Sequence, residues 1–283
     1  MQLVRPESAD QAARALGDGA KPLAGGTDLV PLLRDGLVKA DTLVYLDVAV
    51  PRGVMSPSDG GIRIGAGTSL AELEASDQVP QALREACTQA ASPQLRAMGT
   101  VGGNLLQATR CWYWRLQFPC YLHGGDRCHA REGAHREHAI FGNERCASAH
   151  PSDVAAALLA LGTTLRTTQR ELPLADLYRL PTDDDRALTT LAADELILEL
   201  HVRAADASTY IKAMDRRKWA FPLVGVAAAR RNGEIHLALA GVAPIPWTLS
   251  SIDALDAATP LRGTAYKVEI ARALVRRALA ACK

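Results

Sequence analysis

The sequence predicts an α+β protein built from two domains. A chain of 283 residues, 48% hydrophobic and 22% charged, is long enough for about two soluble globular domains. Helical patterns dominate the first part, whereas short strand-like segments dominate from Leu165 onward. The Asn232-Gly233 pair between two apolar segments is a strong signal for an antiparallel hairpin. We therefore expect a first domain over residues 1–170 and a smaller antiparallel sheet-and-helix domain over residues 171–283.

The first domain is expected to alternate between helices, strands and glycine turns. Ser8 is a candidate N-cap for a helix over residues 8–16, and Ser69 with Glu72 forms a capping-box pattern. Segments rich in β-branched and aromatic residues predict strands. The other expected elements are strands over residues 42–48 and 61–67 and helices over residues 29–33, 80–91 and 152–161. Residues 99–105 are expected to form a glycine-rich turn.

The second domain is expected to consist mainly of short strands. The expected strands cover residues 196–202, 208–212, 223–230 and 234–242. An amphipathic pattern predicts a terminal helix over residues 265–281. The acidic run Asp183-Asp184-Asp185 indicates a solvated turn.

Charge and hydropathy exclude several classes of function. The chain has 32 Lys and Arg residues against 31 Asp and Glu residues, so no overall positive field recruits nucleic acid. No apolar segment reaches the roughly 18 residues expected of a membrane-spanning helix, so we expect no membrane insertion. The N-terminus has no apolar signal core. A cytoplasmic location is expected, or a periplasmic one only by co-export with a partner that carries the signal.

Two glycine-rich segments, residues 24–28 and 100–104, each follow an apolar stretch. Glycine lets a backbone approach an anion closely and present successive N–H groups to it, which suits the pyrophosphate of a dinucleotide. Neither segment matches the Rossmann or P-loop pattern. Tight turns also need glycine for purely structural reasons. The two segments, with a third over residues 65–68, indicate a binding site without naming its ligand.

Four of the six cysteines fall within one segment, residues 110–149, that has little periodicity. Their spacing is C-x8-C-x7-C-x17-C, and the four are Cys111, Cys120, Cys128 and Cys146. The spacing lacks the C-x2-C pairs of most zinc sites and of bacterial ferredoxins. An iron–sulfur cluster, a zinc ion, disulfides and unrelated thiols all remain open on spacing alone. A metal core would explain how so long an irregular loop becomes ordered.

The other notable side chains of this loop have ordinary interpretations. The histidines are expected on a solvated surface rather than as ligands: His123, His129, His135 and His138. The aromatic run at residues 112–114 is expected to shield a cluster or to pack against a partner.

Several segments, in order, resemble the FAD-binding subunit of molybdenum hydroxylases, the family of carbon monoxide dehydrogenase and xanthine dehydrogenase. The segments that carry the resemblance are residues 23–29, 64–70, 100–105, 151–153, 195–199 and 210–212. The resemblance covers nearly the whole chain. It implies the flavoprotein fold of this family, a two-part FAD-binding domain followed by a smaller C-terminal domain.

About forty residues separate the second glycine segment from Pro151, where ordinary members of this family have almost none. This insertion resembles that of 4-hydroxybenzoyl-CoA reductase and, more closely, that of bacterial molybdenum aldehyde oxidoreductases. The resemblance implies that Cys111, Cys120, Cys128 and Cys146 bind an extra [4Fe–4S] cluster.

The resemblance also implies which residues contact FAD. Gly25, Gly26, Thr27 and Asp28 would face the pyrophosphate, flanked by Leu23, Ala24 and Leu29. The flavin and ribityl side would be held by Thr100, Gly102, Gly103 and Asn104. Asp153 would bind a hydroxyl or the adenine end, Ile197 would pack near the isoalloxazine, and Lys212 would lie near the flavin. Lys218 follows the Arg216-Arg217 pair where relatives often carry an acidic residue, which leaves the electron acceptor open.

The implied function is electron transfer within a molybdenum-containing aldehyde oxidoreductase. A large molybdenum-cofactor subunit and a small subunit with two [2Fe–2S] clusters would be the partners, and an external acceptor would take electrons from FAD. The flavin subunit of a 4-hydroxybenzoyl-CoA reductase-like enzyme or of another molybdenum hydroxylase is an alternative. A zinc-stabilised nucleotide-binding scaffold and a stand-alone flavin oxidase are the others.

Overall fold

Three short parallel strands and two helices form the N-terminal layer. The computed structural model describes residues 1–56, 60–216 and 218–283. The elements are β1 (Gln2–Val4), α1 (Ala9–Ala15), β2 (Ala20–Leu23), α2 (Leu29–Arg34) and β3 (Thr42–Tyr45). The strands pair in the order β1-β3-β2, and Ser8 caps α1 as predicted, accepting the N–H of Gln11. The first glycine segment therefore connects the carboxyl end of β2 to the start of α2.

A five-stranded antiparallel sheet follows. Its strands are β4 (Val54–Met55), β5 (Ile62–Gly65), β6 (Thr164–Thr167), β7 (Glu171–Pro173) and β8 (Ile197–Val202). The order is β4-β5-β8-β6-β7, so β8 is hydrogen-bonded between β5 and β6. The sheet thus draws strands from both sides of residue 170, where the sequence suggested a division, and its last strand ends at Val202.

Short helices share a hydrophobic core with this sheet. They are α3 (Leu70–Ala75), α4 (Gln81–Gln89), α5 (Pro93–Met98), α6 (Val101–Leu105) and, after the cysteine-containing loop, α8 (Asp153–Ala160). The capping box of Ser69 and Glu72 is present. Residues 101–105, expected as a turn, form α6 because the Thr100 hydroxyl accepts the N–H of Gly103 and caps it.

The C-terminal part is an antiparallel sheet with one long helix. The strands β9 (Ala207–Ala213), β10 (Val224–Arg231), β11 (Glu234–Ala240) and β12 (Trp247–Leu249) pair in the order β12-β11-β10-β9, followed by α9 (Tyr266–Ala281). The predicted hairpin is present, and Asn232 and Gly233 have φ of 52° and 81°, as a two-residue hairpin turn requires. In the described residues, no helix is long and apolar enough to cross a membrane.

The two faces of the C-terminal sheet pack against different helices. Ala227 and Ala229 face a core that contains α8, while Val226 and Ala228 face a second core that contains the inner face of α9. Nearly every residue of α8 is buried, and its small alanines let it pack between α4 and the sheet. Since alternate residues of β10 face opposite sides, one face of the C-terminal sheet packs on α8 and so shares a core with the N-terminal part of the chain.

The loop over residues 110–149 is irregular, as predicted, apart from α7 (Trp112–Arg115) and one 3-10 turn at Tyr121–His123. It has its own apolar anchor. Ile140 and Phe141 are buried in the second core, and both backbone N–H groups donate to the carbonyl of Val242, at 2.7 and 3.0 Å. The Phe141 ring stacks on Trp247, with centroids 5.2 Å apart. Hydrophobic packing therefore contributes to the order of this loop.

Candidate functional site

A large cleft lies where the glycine segments, β8 and the start of the cysteine loop meet. Its cavity volume is about 720 Å³, within the range of cofactor pockets. All the residues predicted to contact the cofactor line it except Leu23 and Lys212. Those in its wall are Ala24, Gly25, Gly26, Thr27, Asp28, Leu29, Thr100, Gly102, Gly103, Asn104, Asp153 and Ile197.

The glycines of the two segments serve different purposes. A Cβ on Gly25 would lie 1.7 Å from the carbonyl oxygen of Met98, so this residue lets the first segment pack against the end of α5. Gly26 has φ of +71°, which a side chain would strain. Gly102 is buried, and a Cβ there would lie 3.0 Å from that of Ala66. Gly103 is exposed, so its backbone is the part of α6 open to a ligand.

The Asn104 amide is held in one orientation by Ser152. The Ser152 hydroxyl donates to Asn104 Oδ1 at 2.6 Å and accepts the N–H of Ala155 at 2.9 Å, which caps α8. With its oxygen occupied, Asn104 presents its NH₂ group as a donor in the cleft. A phosphate or a carbonyl oxygen of a ligand would be the matching acceptor.

Asp28 lies in the wall of the cleft with its carboxylate already occupied. One oxygen accepts the N–H of Ala108 at 2.7 Å, and the other lies 2.8 Å from Arg110 and 3.3 Å from Arg115. Arg115 also donates to the carbonyl of Thr109 at 2.9 Å. Asp28 therefore holds the start of the cysteine loop against the first glycine segment and places two cations beside it.

Asp153 and Lys212 form a buried ion pair behind the cleft. Their side chains are 4% and 0% exposed, and Lys212 also donates to the carbonyl of Gln89 at 3.0 Å. Burial raises the pKa of Asp153, an effect that Lys212 and the Tyr210 hydroxyl partly offset. Asp153 lines the cleft, whereas Lys212, expected next to the flavin, does not line it and contacts Asp153 instead.

Several residues of the cleft were missed because no motif marks them. Trp219 and Phe221, 57% and 52% exposed, lie on the segment between β9 and β10, and Trp219 has φ of 60°. The Arg110 guanidinium lies over the Phe221 ring at 4.9 Å. Arg216 donates to the carbonyl of Trp219 at 2.6 Å, and Arg217 lies outside the described residues. The unusual aromatic content after Arg216 was the one available signal.

A second, small cavity brings together the four loop cysteines. Cys111, Cys120, Cys128 and Cys146 all line it, beside Tyr121, and none forms a disulfide. Burial raises the pKa of Cys111 to about 11 and that of Cys146 to about 12. Ligation of a metal would therefore have to release protons from these thiols. Four sulfur donors in one partly enclosed cavity match the donor set of an iron–sulfur cluster.

A single ion requires its ligands to lie close together. Tetrahedral zinc, with Zn–S bonds of about 2.3 Å, would hold thiolates about 3.8 Å apart. Across the described ranges, no three His, Cys, Asp or Glu side chains are grouped closely enough for one metal ion. A cubane cluster holds its four ligand sulfurs further apart than a single ion does.

The histidines of the loop differ in their surroundings. His123 is exposed and stacks on Trp114, as expected, and His129 and His135 are half-buried. The surface prediction is wrong for His138, which is 2% exposed with Nε2 3.2 Å from Cys111 Sγ. Burial lowers its pKa to about 4. The ring contacts Cys111, Trp112 and Tyr113 at the start of the loop, a contact that local sequence did not indicate.

The segment around Asp183 contacts Tyr121, which lines the cysteine cavity. Arg186 donates to the carbonyls of Tyr121 and Gly125 at 2.8 and 2.6 Å and lies over the Tyr121 ring. Asp183 accepts from the Tyr121 hydroxyl and from Arg145. The acidic run is exposed, as expected of a solvated turn, and Asp183 in addition makes these contacts.

Comparisons with known proteins agree on one family. Residues 1–203 match the family described as the FAD binding domain in molybdopterin dehydrogenase. The chain is 35% identical over 250 residues to the aldehyde oxidoreductase FAD-binding subunit PaoB of Escherichia coli K12, covering 83% of this chain and 79% of that protein. It is 39% identical over 107 residues to the carbon monoxide dehydrogenase medium chain of Afipia carboxidovorans, covering 35% and 37%.

Solved structures show the same fold. A chain of carbon monoxide dehydrogenase from Hydrogenophaga pseudoflava superimposes with a TM-score of 0.71 at 25% identity, over 100% of this chain and 96% of that one. A chain of quinoline 2-oxidoreductase from Pseudomonas putida 86 has a TM-score of 0.71 at 19% identity, over 99% and 96%. The mixed α/β flavoprotein fold expected from the sequence is thereby confirmed.

Proposed function

Since the chain belongs to the family of FAD-binding domains of molybdopterin dehydrogenases, we propose that it is the electron-transfer subunit of an aldehyde-oxidising molybdenum enzyme. FAD would occupy the large cleft, and one [4Fe–4S] cluster would be held by Cys111, Cys120, Cys128 and Cys146. The 35% identity to an aldehyde oxidoreductase subunit supports the aldehyde branch of the family.

One observation carries the electron-transfer proposal. Arg110 lines the large cleft, and the next residue, Cys111, lines the cysteine cavity. The two proposed cofactor sites are therefore neighbours joined by one peptide unit. FAD accepts electrons singly and releases them in pairs, which suits the point where electrons leave such a complex. The cluster beside it would be placed to exchange electrons with the flavin.

Different residues of the cleft would contact different parts of FAD. The backbone of Gly26 would approach the phosphates, that of Gly103 would approach the ribityl side, and the Asn104 amide would donate to an acceptor oxygen. Arg110 and Arg115, fixed by Asp28, would supply positive charge near the anionic part of the cofactor. Asp153 would accept from a hydroxyl of the cofactor, and Ile197 would pack against the ring.

Iron analysis tests the cluster. The full chain, purified without oxygen, should contain about four iron atoms and one FAD, with a brown shoulder beside the flavin bands. Serine at any of the four cysteines should remove this iron, whereas Cys87→Ser, buried in the other core, should not. An unchanged iron content in the four variants, or a colourless protein with stoichiometric zinc, would contradict the cluster and favour the zinc-stabilised scaffold.

The proposed function requires partner subunits. A large subunit with the molybdenum cofactor and a small [2Fe–2S] subunit would oxidise the aldehyde and supply electrons, and an external acceptor would remove them. The chain alone should then have its flavin reduced by a chemical reductant but not by aldehydes. Aldehyde turnover by the molybdenum-free chain would instead identify a self-sufficient flavin oxidase. The cytoplasmic or co-exported location stays a prediction.

A further inference from the structure

We propose that His138 donates a hydrogen bond from its Nε2–H to the sulfur of Cys111 and thereby raises the reduction potential of the cluster bound there. The inference rests on the proposed [4Fe–4S] site and adds a positioning and tuning residue to it. His138 would act through Cys111 and not as a ligand.

The geometry places the ring beside one cysteine. His138 Nε2 lies 3.2 Å from Cys111 Sγ, within the range of hydrogen bonds to sulfur. The Trp112 ring meets the imidazole edge-on at 4.7 Å between centroids, and the Tyr113 ring lies at 6.2 Å. The residue is 2% exposed, so water cannot compete for this nitrogen. The imidazole is thus held in place by packing as well as by the sulfur.

The chemistry of a ligated cysteine decides which atom donates. A free thiol can donate to the ring, but a cysteine bound to iron has lost its proton and can only accept. The ring must then carry its proton on Nε2. Within the described residues Nδ1 forms no hydrogen bond, and Cys111 is the ring's one hydrogen-bond partner, beside an electrostatic contact with the backbone of His135. Cluster binding would therefore select the Nε2–H form.

A donor at the sulfur favours the reduced cluster. One-electron reduction adds negative charge that spreads onto the cysteine sulfurs, and an N–H group directed at a sulfur stabilises it. Backbone N–H groups of Tyr113 and Trp114 also reach Cys111, and the N–H of Ala147 lies 3.5 Å from Cys128 Sγ. His138 is a side-chain member of this set of donors, as is Ser148, whose hydroxyl lies 3.3 Å from Cys146 Sγ.

The test compares two replacements of His138 in the full chain. His138→Leu keeps apolar bulk and removes the donor, whereas His138→Gln keeps an N–H group near the position of Nε2. His123→Leu is the matched control, because His123 stacks on Trp114 and bonds to a backbone carbonyl instead of a cysteine. Iron content is measured first, and the cluster potential then by a redox titration followed by electron paramagnetic resonance.

The expected result is full iron in all three variants. The cluster potential should fall in His138→Leu, stay close to the wild-type value in His138→Gln, and stay unchanged in His123→Leu. An unchanged potential in an iron-replete His138→Leu would overturn the inference. Loss of iron from both His138 variants would also overturn it, since the residue would then be a ligand or a support of the loop.

A measurement on the wild-type chain covers the case in which His138→Leu does not fold. Labelling histidine with ¹⁵N and applying pulsed electron–nuclear spectroscopy to the reduced cluster should reveal one coupled nitrogen with an exchangeable proton. The absence of that coupling would contradict the hydrogen bond. Wild-type protein with no iron at all would remove the proposed cluster itself, a failure distinguishable from the loss of the histidine contact alone.

Discussion

Lys212 Nζ lies 2.8 Å from Asp153 Oδ2, and both side chains are almost completely buried. The pair links β9 to the start of α8 at the back of the cleft. A buried carboxylate that loses its cation is strongly destabilising, because desolvation is no longer compensated. This pair therefore gives a sharp test of how the cleft is supported.

Lys212→Met should lower the free energy of unfolding by about 3–5 kcal/mol. Adding Asp153→Asn should recover most of that loss, since the uncompensated charge is then gone. Urea unfolding of the four combinations measures the coupling, with the exposed Lys39→Met as control. If Lys212→Met alone lowers the free energy of unfolding by less than about 1 kcal/mol, the ion pair is not the main interaction that stabilises buried Asp153.

Gly25→Ala should disrupt the first glycine segment, because the new Cβ would lie 1.7 Å from the Met98 carbonyl oxygen. We expect loss of bound FAD together with lower stability. Gly103→Ala, whose Cβ would meet only the Thr100 hydroxyl at 3.0 Å, should keep the fold and weaken FAD binding alone. Gly17→Ala has open space around it and serves as control. Equal FAD content in all three purified proteins would contradict these roles.

Ser152→Ala should have two separable effects. Loss of the α8 cap should cost about 1 kcal/mol of stability. Release of Asn104 should weaken FAD binding roughly 2- to 10-fold, the equivalent of one hydrogen bond. Ser8→Ala removes the corresponding cap of α1 away from the cleft and should lower stability without changing FAD affinity. The role of Ser152 in orienting Asn104 fails if both variants bind FAD as tightly as the wild type.

Lys267 should make stability depend on pH. Its ammonium is fully buried and donates to the carbonyls of Glu137 and Gly241, and burial lowers its pKa to about 7. Between that value and its ordinary pKa, the unfolded chain binds one proton more than the folded chain, so stability rises with pH. The burial penalty is complete below pH 7 and declines above it.

The measurement compares the wild type with Lys267→Met between pH 7 and 8.5, where the ionisation of unfolded cysteines is the same in both proteins and cancels in the difference. As the pH rises, the free energy of unfolding of the wild type should increase relative to that of the variant by up to about 1.4 kcal/mol per pH unit. A difference that stays constant over this range would mean that Lys267 remains protonated in the folded protein.

Local signals predicted most of the secondary structure. The Ser8 cap, the Ser69 capping box and the Asn232-Gly233 hairpin were identifiable because each depends on neighbouring residues only. Helix α6 was missed because glycine content argued for a turn, whereas the Thr100 cap and burial of Val101 favour a helix. Intrinsic propensity is weak where tertiary contacts compete with it.

The residues that line the cleft were predicted better than the contacts that hold those residues in place. The glycine segments are local motifs, so nearly all the predicted residues line the cleft. The contacts of Asp28 with Arg110 and of Lys212 with Asp153 join residues that are 59 or more positions apart. The contact with Arg110 also depends on how the cysteine loop folds back onto the first glycine segment. Burial of His138 likewise depends on its contacts with residues 111–113, at least 25 positions earlier in the chain. No pattern in one sequence reports such long-range contacts.

The contacts that anchor the cysteine loop determine when the loop can fold during synthesis of the chain. Ile140 and Phe141 can be buried only after the ribosome has delivered Val242, Trp247 and the last helix, about one hundred residues later. A nascent chain that ends near Val202 would contain all four cysteines and most of the cleft, yet its loop would lack a surface to fold on. Loading of the proposed cluster is therefore expected to follow completion of the chain.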